Sequence, residues 1–237
     1  MKSSINKLVV VFIACVVALN LGAQERPIKE SFQNIELTIN IDNQVVIPSI
    51  AYEYYFQVGK KGKLFIGPGI RMFGVSSSDD WRFAETNAPE DNFKNGDPNV
   101  NAFIADETRI AAVNLGVYFM YRINRFEVGL NTDVIGFTIS ESVSGTFENV
   151  NDGSLTRIDN VQAQPFVIFP FDGSYNTEII WAGYQISERS LIKTGITFSD
   201  YKYEIPRDKL PGVEQQKNAY ERIFTTVTIG YNYRLQR

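Results

Sequence analysis

The sequence predicts an all-β protein, a closed antiparallel up-and-down β-barrel that crosses a membrane, and three observations carry that reading. Apolar residues recur at every second position in eight runs, the alternate faces of those runs hold charges balanced in sign, and the joins between runs alternate between tight and long. With 44% apolar and 13% aromatic residues, the 237-residue chain is neither disordered nor collagen-like, and one domain is the natural count.

Residues 1–23 read as a cleavable export signal. Lys2 and Lys7 supply a basic start, Leu8 to Leu21 is apolar apart from Asn20, and Gly22-Ala23 offers small residues for cleavage before Gln24. The apolar run of about 14 residues falls short of the ~20 that a spanning helix needs. The one cysteine, Cys15, leaves with the signal, so the mature barrel, 24–237, has no disulfide in an oxidising compartment. Loss of Lys2 and Lys7 takes the formal charge from −4 to −6, a field that disfavours nucleic acid as a partner.

The first run sets Ile35, Leu37, Ile39 and Ile41 on one face, against Asn34, Glu36, Thr38 and Asn40 on the other. The second aligns Val46, Ile50, Tyr52, Tyr54 and Phe56, the third Leu64, Ile66, Ile70 and Met72, and the fourth Ala111, Val113, Leu115, Val117, Phe119 and Tyr121. The fifth holds Phe126, Val128, Leu130, Thr132 and Val134, the sixth Ile180, Ala182, Tyr184 and Ile186, and the seventh Ile192, Ile196 and Phe198. The last carries Ile223, Val227, Ile229, Tyr231, Tyr233 and Leu235. Eight strands of about 8 to 14 residues result.

The opposite faces carry Glu36, Glu53, Arg71, Arg122, Glu127, Asp133, Lys193 and Arg234, four acids and four bases. An uncharged aliphatic and aromatic face set against this one suits hydrocarbon outside and a salt-bridged lumen inside. A soluble, lipocalin-like carrier would invert the faces. Seven glycines, among them Gly67, Gly116 and Gly195, fall on the inner side and make room for larger neighbours such as Trp181, so the lumen is expected to be plugged. Pro48 and Pro68 are discordant, since proline donates nothing to a ladder, and local bulges or a slipped register are expected there.

The joins 42–45, 57–63, 122–125 and 187–191 are short, whereas 75–108 and 139–177 are long and 205–221 is medium. That is the pattern of short periplasmic turns and long external loops, with both termini periplasmic. A strand pair inside 139–177 would raise the count from eight to ten. With its export signal, its amphipathic strands and a last strand ending in Tyr231, Tyr233 and Leu235, the mature chain resembles the small eight-stranded outer-membrane barrels of the OmpA and OmpX type. The resemblance implies an integral outer-membrane protein, surrounded by outer-membrane lipids, whose last strand is read by the barrel-assembly machinery. It carries no functional residue across.

Between Ser76 and Glu107 eight acids face only Arg82 and Lys94, a net −6, and between Ile139 and Asn176 five acids face Arg157, a net −4. Such a rim suits divalent cations or basic partners, or keeps the loops in water. Asn151-Asp152-Gly153 reads as the turn of a small external hairpin. Phe166, Val167, Ile168, Phe169 and Phe171 form an apolar stretch inside an acidic join, a candidate binding patch for a surface ligand or protein partner, or a segment packed on its own loop or at the membrane interface.

Without histidine there is no Ser-His or Cys-His pair, and no cofactor or metal is indicated. The chain is therefore expected not to be an enzyme, but a barrel presenting loops for adhesion, partner binding or envelope integrity. The alternatives are a narrow channel or carrier for small solutes, a soluble periplasmic carrier, and a membrane-embedded hydrolase using carboxylate or Ser-Lys chemistry.

Overall fold

Alternation at every second residue becomes an antiparallel ladder in each of the eight runs, and the ladders close. A computed structural model describes residues 31–59, 63–77, 80–85, 100–150, 152–169, 173–206, 209–210 and 219–235. The predicted export signal, 1–23, lies outside these residues. Thirteen strands are present among the described residues: β1 (Ser31–Ile41), β2 (Val46–Val58), β3 (Leu64–Ser77), β4 (Trp81–Glu85), β5 (Ala102–Ala105), β6 (Thr108–Ile123), β7 (Phe126–Ser140), β8 (Val143–Asn149), β9 (Ser154–Ala163), β10 (Phe166–Ile168), β11 (Tyr175–Gln185), β12 (Ser190–Glu204) and β13 (Ala219–Leu235).

The predicted count of eight is thus corrected to thirteen. The eight expected runs are β1, β2, β3, β6, β7, β11, β12 and β13, which pair in that order and return from β13 to β1, all antiparallel. The register from Gln33↔Leu235 to Ile41↔Val227 makes the closing seam. The wall is irregular. Bulges fall in β7 at Val134, opposite Leu115 and Gly116, and in β11 between Glu178 and Ile180, and the β2–β3 ladder skips opposite Pro68, between Glu53↔Gly69 and Phe56↔Ile66. Pro48 pairs in register with Ile39.

The other five strands lie in the joins read as loops. Beyond the wall, β12 and β13 run on as a hairpin, and a second circuit closes on it: β13 to β4 through Tyr220↔Glu85, β4 to β5 to β8 to β9, and β9 back to β12 through Tyr203↔Ala163. Strands β8 and β9 belong to this cap, so they do not enter the wall to make ten. Short alternations made these strands: Trp81 and Phe83, Phe103 and Ala105, and Val143 and Phe147 all point into one core. In β9 the alternation breaks between Ile158 and Val161. Asn160 adopts a left-handed φ of 59° at a bulge, which Asn tolerates better than most residues, and both apolar side chains face inward. The hairpin tip is the expected turn, with Gly153 at φ 68° donating its N–H to the Asn149 carbonyl at 2.9 Å.

The cap core is aromatic. Phe83, Phe103, Phe147, Tyr203 and Tyr220 are fully buried, with Phe83 and Tyr203 rings 4.9 Å apart and perpendicular. The same cluster takes in Ile47, Phe73 and Ile110 from the mouth of the wall, so cap and barrel share one apolar seal. A Cβ on Gly145 would meet the Ile104 carbonyl at 2.3 Å and the Phe103 ring at 2.6 Å, so glycine lets that ring lie flat against β8. Arg222 fastens the circuit, stacking over Trp81 and Phe224 and donating to the Arg82 carbonyl and to Gln44 Oε1.

Phe103→Ala empties the centre of the cap and is expected to cost about 3–5 kcal/mol. Limited proteolysis of the folded protein should then cut between residues 78 and 107 or 141 and 164, while the wall still shifts on a gel run with and without boiling.

Candidate functional site

Inward and outward faces of the wall differ sharply. Leu37, Ile50, Met72, Leu115, Leu130, Ile192 and Ile229 are exposed on the outside, and Phe56, Tyr121, Phe126, Tyr184 and Tyr231 ring the end where the tight turns lie. Inside, all eight predicted lumen charges face the interior, and the structure sorts them into two layers.

At the turn end, Glu127 Oε1 accepts hydrogen bonds from Arg122 Nε at 2.7 Å, Arg234 Nη2 at 2.8 Å and Gln185 Nε2 at 2.8 Å. The Arg122 and Arg234 guanidiniums also sit over the Phe32 ring, at 5.0 and 4.3 Å. Above them Phe32, Tyr55, Phe65, Tyr118, Met120 and Trp181 form a closed apolar layer. The middle layer follows. Lys193 Nζ lies 2.6 Å from both Glu36 Oε2 and Glu178 Oε2, Arg71 reaches Asp133 at 3.4 Å and Asn131 Oδ1 at 2.5 Å, and Glu53 accepts from Asn34 at 3.3 Å. Buried Thr38, Asn40, Thr197, Thr226 and Thr228 come next, and then the apolar seal under the cap.

Glu178 was missed from the sequence because it shares parity with Ile180 on the outer face. The bulge after it turns the carboxylate inward, and the adjacent apolar pair Ile179-Ile180, both exposed, is the signal that marks such a slip. The candidate loop patch is corrected too. Phe166 and Ile168 point outward, Val167 is fully buried inward, Phe169 packs its ring on Tyr175 at 5.0 Å, and Phe171 lies outside the described residues. Strand β10 pairs with β7 through Phe166↔Phe137 and Ile168↔Ile135, so the stretch continues the apolar outer wall and gathers no single patch. Beside it Gly173 and Ser174 turn inward, where the Ser174 carbonyl accepts from Asn114 Nδ2 at 3.0 Å.

The acidic joins are largely self-paired where they are described. Arg157 meets Asp106 at 2.5 Å, Arg109 meets Glu141 at 2.9 Å, and Arg82 meets Glu148 at 3.2 Å. Hydrogen bonds from Ser154 hold the Asp152 carboxyl below its usual range, and burial pushes the Tyr203 phenol up to about 12. Among the described residues no group of three acidic, His or Cys side chains is placed to hold a metal.

A wall that is antiparallel and closed, apolar outside and ionic inside, is that of a transmembrane β-barrel. The chain is similar in structure to small outer-membrane barrels. Neisserial surface protein A is 9% identical over 86% of this chain and 96% of its own, with a TM-score of 0.34. Ail of Yersinia pestis, solved with the heparin analogue sucrose octasulfate, is 10% identical over 86% and 97%, with a TM-score of 0.31. The outer-membrane protease OmpT of Escherichia coli is 13% identical over 80% and 64%, with a TM-score of 0.35. No family model and no curated protein matches. The likeness transfers no residue role, but a protease stands among these barrels, so the expectation that this chain is not an enzyme is withdrawn.

Lys193→Ala leaves Glu36 and Glu178 facing each other without their shared cation and is expected to cost about 3–5 kcal/mol, whereas exposed Arg157→Ala should cost no more than ~1 kcal/mol. Urea unfolding in lipid vesicles, followed by tryptophan fluorescence, reads both.

Proposed function

We propose that the protein is an integral outer-membrane barrel, an eight-stranded wall with both termini in the periplasm, whose task is to hold a folded recognition module outside the cell. One observation supports this above the rest: the long joins form a second closed circuit of strands with its own aromatic core, built on the β12–β13 hairpin of the wall. Loops that only needed to stay in water would not bury Phe83, Phe103 and Phe147 completely. The cap presents the β8–β9 tip, where Leu155 is 68% exposed, as a surface for adhesion, partner binding or envelope contacts.

The channel alternative has the lumen charges in its favour, and the carrier alternative the apolar cap core. Against conduction stand two apolar layers, the Phe32–Trp181 cluster at one end and the cap seal at the other. Replacing residues 149–154 and Leu155 by a two-residue Asn-Gly turn keeps the cap core intact. Cells carrying this variant should lose binding to whatever surface cells with the parent chain adhere to, at equal surface amount; equal adhesion overturns the reading. In planar bilayers the parent barrel should show no steady conductance, and a stable single-channel current would favour the channel.

A further inference from the structure

The two charged layers of the lumen differ in what they lack. In the middle layer the unpaired buried atoms are mostly acceptors, among them Glu178 Oε1, Asn34 Oδ1 and Asn232 Oδ1. At the turn-end mouth they are donors: Arg122 Nη2, Arg125 Nε and Arg234 Nε are buried with no hydrogen-bond partner. Arg122 itself is 8% exposed and Arg234 is largely covered, and both spend their paired nitrogens on one oxygen of Glu127. Arg125 stands in the tight turn between β6 and β7, where its carbonyl accepts from the Gln185 N–H at 2.8 Å. One carboxylate therefore faces two guanidiniums, and Arg125 in the adjoining turn adds a third cation at that end. Lys63, whose carbonyl accepts from the Arg122 N–H at 2.8 Å, and Arg189 add further positive charge at the same end. Among the described residues Lys63, Arg125 and Arg189 are in no ion pair, in contrast to the arginines of the cap.

Buried guanidinium donors left open cost free energy until an acceptor fills them. The planar forks of arginine match the oxygens of a phosphate group, and a site shielded from bulk water strengthens such bonds. From this geometry we propose that the turn-end mouth of the barrel is an anion site for a phosphate group, held by Arg122, Arg125 and Arg234. The chemistry fits a phospholipid phosphodiester or free phosphate alike. The lipid source rests on the membrane reading given above, because only a barrel in a bilayer brings headgroups to the level of Tyr231, Tyr121 and Phe126; the free-phosphate source does not.

The test uses the mature chain in an uncharged detergent. Native mass spectrometry with phosphatidylglycerol or phosphatidylcholine asks whether one anionic lipid per barrel is retained in preference, and calorimetry with inorganic phosphate asks whether the ion alone binds. Retained phosphatidylglycerol that phosphate displaces, or saturable phosphate binding by itself, supports the site and names its source. Arg125→Ala, a turn residue outside the Glu127 cluster, should weaken binding about tenfold while the boiled and unboiled bands still differ. Arg234→Gln should do the same. Binding of neither probe, or affinities unchanged in both variants, overturns the proposal. A chain without a heat-dependent band shift that still binds phosphate would sink the membrane reading and leave this site standing.

Discussion

A strand that faces hydrocarbon can satisfy its peptide groups only by pairing on both edges, and this obligation organises the whole molecule. The wall meets it by returning from β13 to β1, residue by residue from Gln33↔Leu235 onward. Once closed, it has an inside too narrow for anything but its own side chains, and each strand must deliver charges there in matched sets. The Glu127 and Lys193 clusters are the outcome. They are compensations for burial more than sources of stability, since buried ion pairs roughly repay their own desolvation and are costly mainly when broken.

The cap follows from the same rule applied where lipid ends. Strands β12 and β13 are long enough to outrun the wall, and above it their edges would be bare. Strand β9 pairs with one edge at Tyr203 and Glu204, and β4 with the other at Tyr220 and Glu221. Two circuits thus share one hairpin. Because Phe73 and Ile110 of the wall belong to the same apolar cluster as Phe83 and Phe147 of the cap, the cap cannot loosen without uncovering the barrel mouth.

How legible this was in the sequence depended on what each face touches. The eight wall runs were plain, since a face against lipid and a face against a packed lumen impose opposite chemistry on alternate residues over a dozen positions. The cap strands are not, because most are only a few residues long and acids in and between them, Glu148, Glu141 and Asp106, pair with Arg82, Arg109 and Arg157. Composition over the join saw the acids and missed the alternation of Trp81 with Phe83 and of Val143 with Phe147. The lumen charges were found by parity, and the one omitted, Glu178, lies where a bulge reverses parity. Phe166 to Ile168 looked like a loop patch because its partner, the upper end of β7, is distant in sequence.

The lumen is also polarised along its axis, and the aromatic layer is the reason that it stays so. Glu36, Glu53, Asp133 and Glu178 outnumber Arg71 and Lys193 on one side, while Arg122 and Arg234 outnumber Glu127 on the other. The two surpluses are opposite in sign and would cancel if the side chains could meet. Phe32, Tyr55, Phe65, Tyr118 and Trp181 stand between them, fully packed, with Lys193 held against one face at Trp181 and Arg122 against the other at Phe65. Cation–π contacts steady both cations at the boundary without passing charge through it. Each surplus must therefore be met from its own side. The middle layer has its own amides and hydroxyls to draw on, beneath the apolar core of the cap. The turn-end layer lies beside the tight turns, at the end of the lumen away from the cap, with Arg122 and Arg234 donors still unfilled.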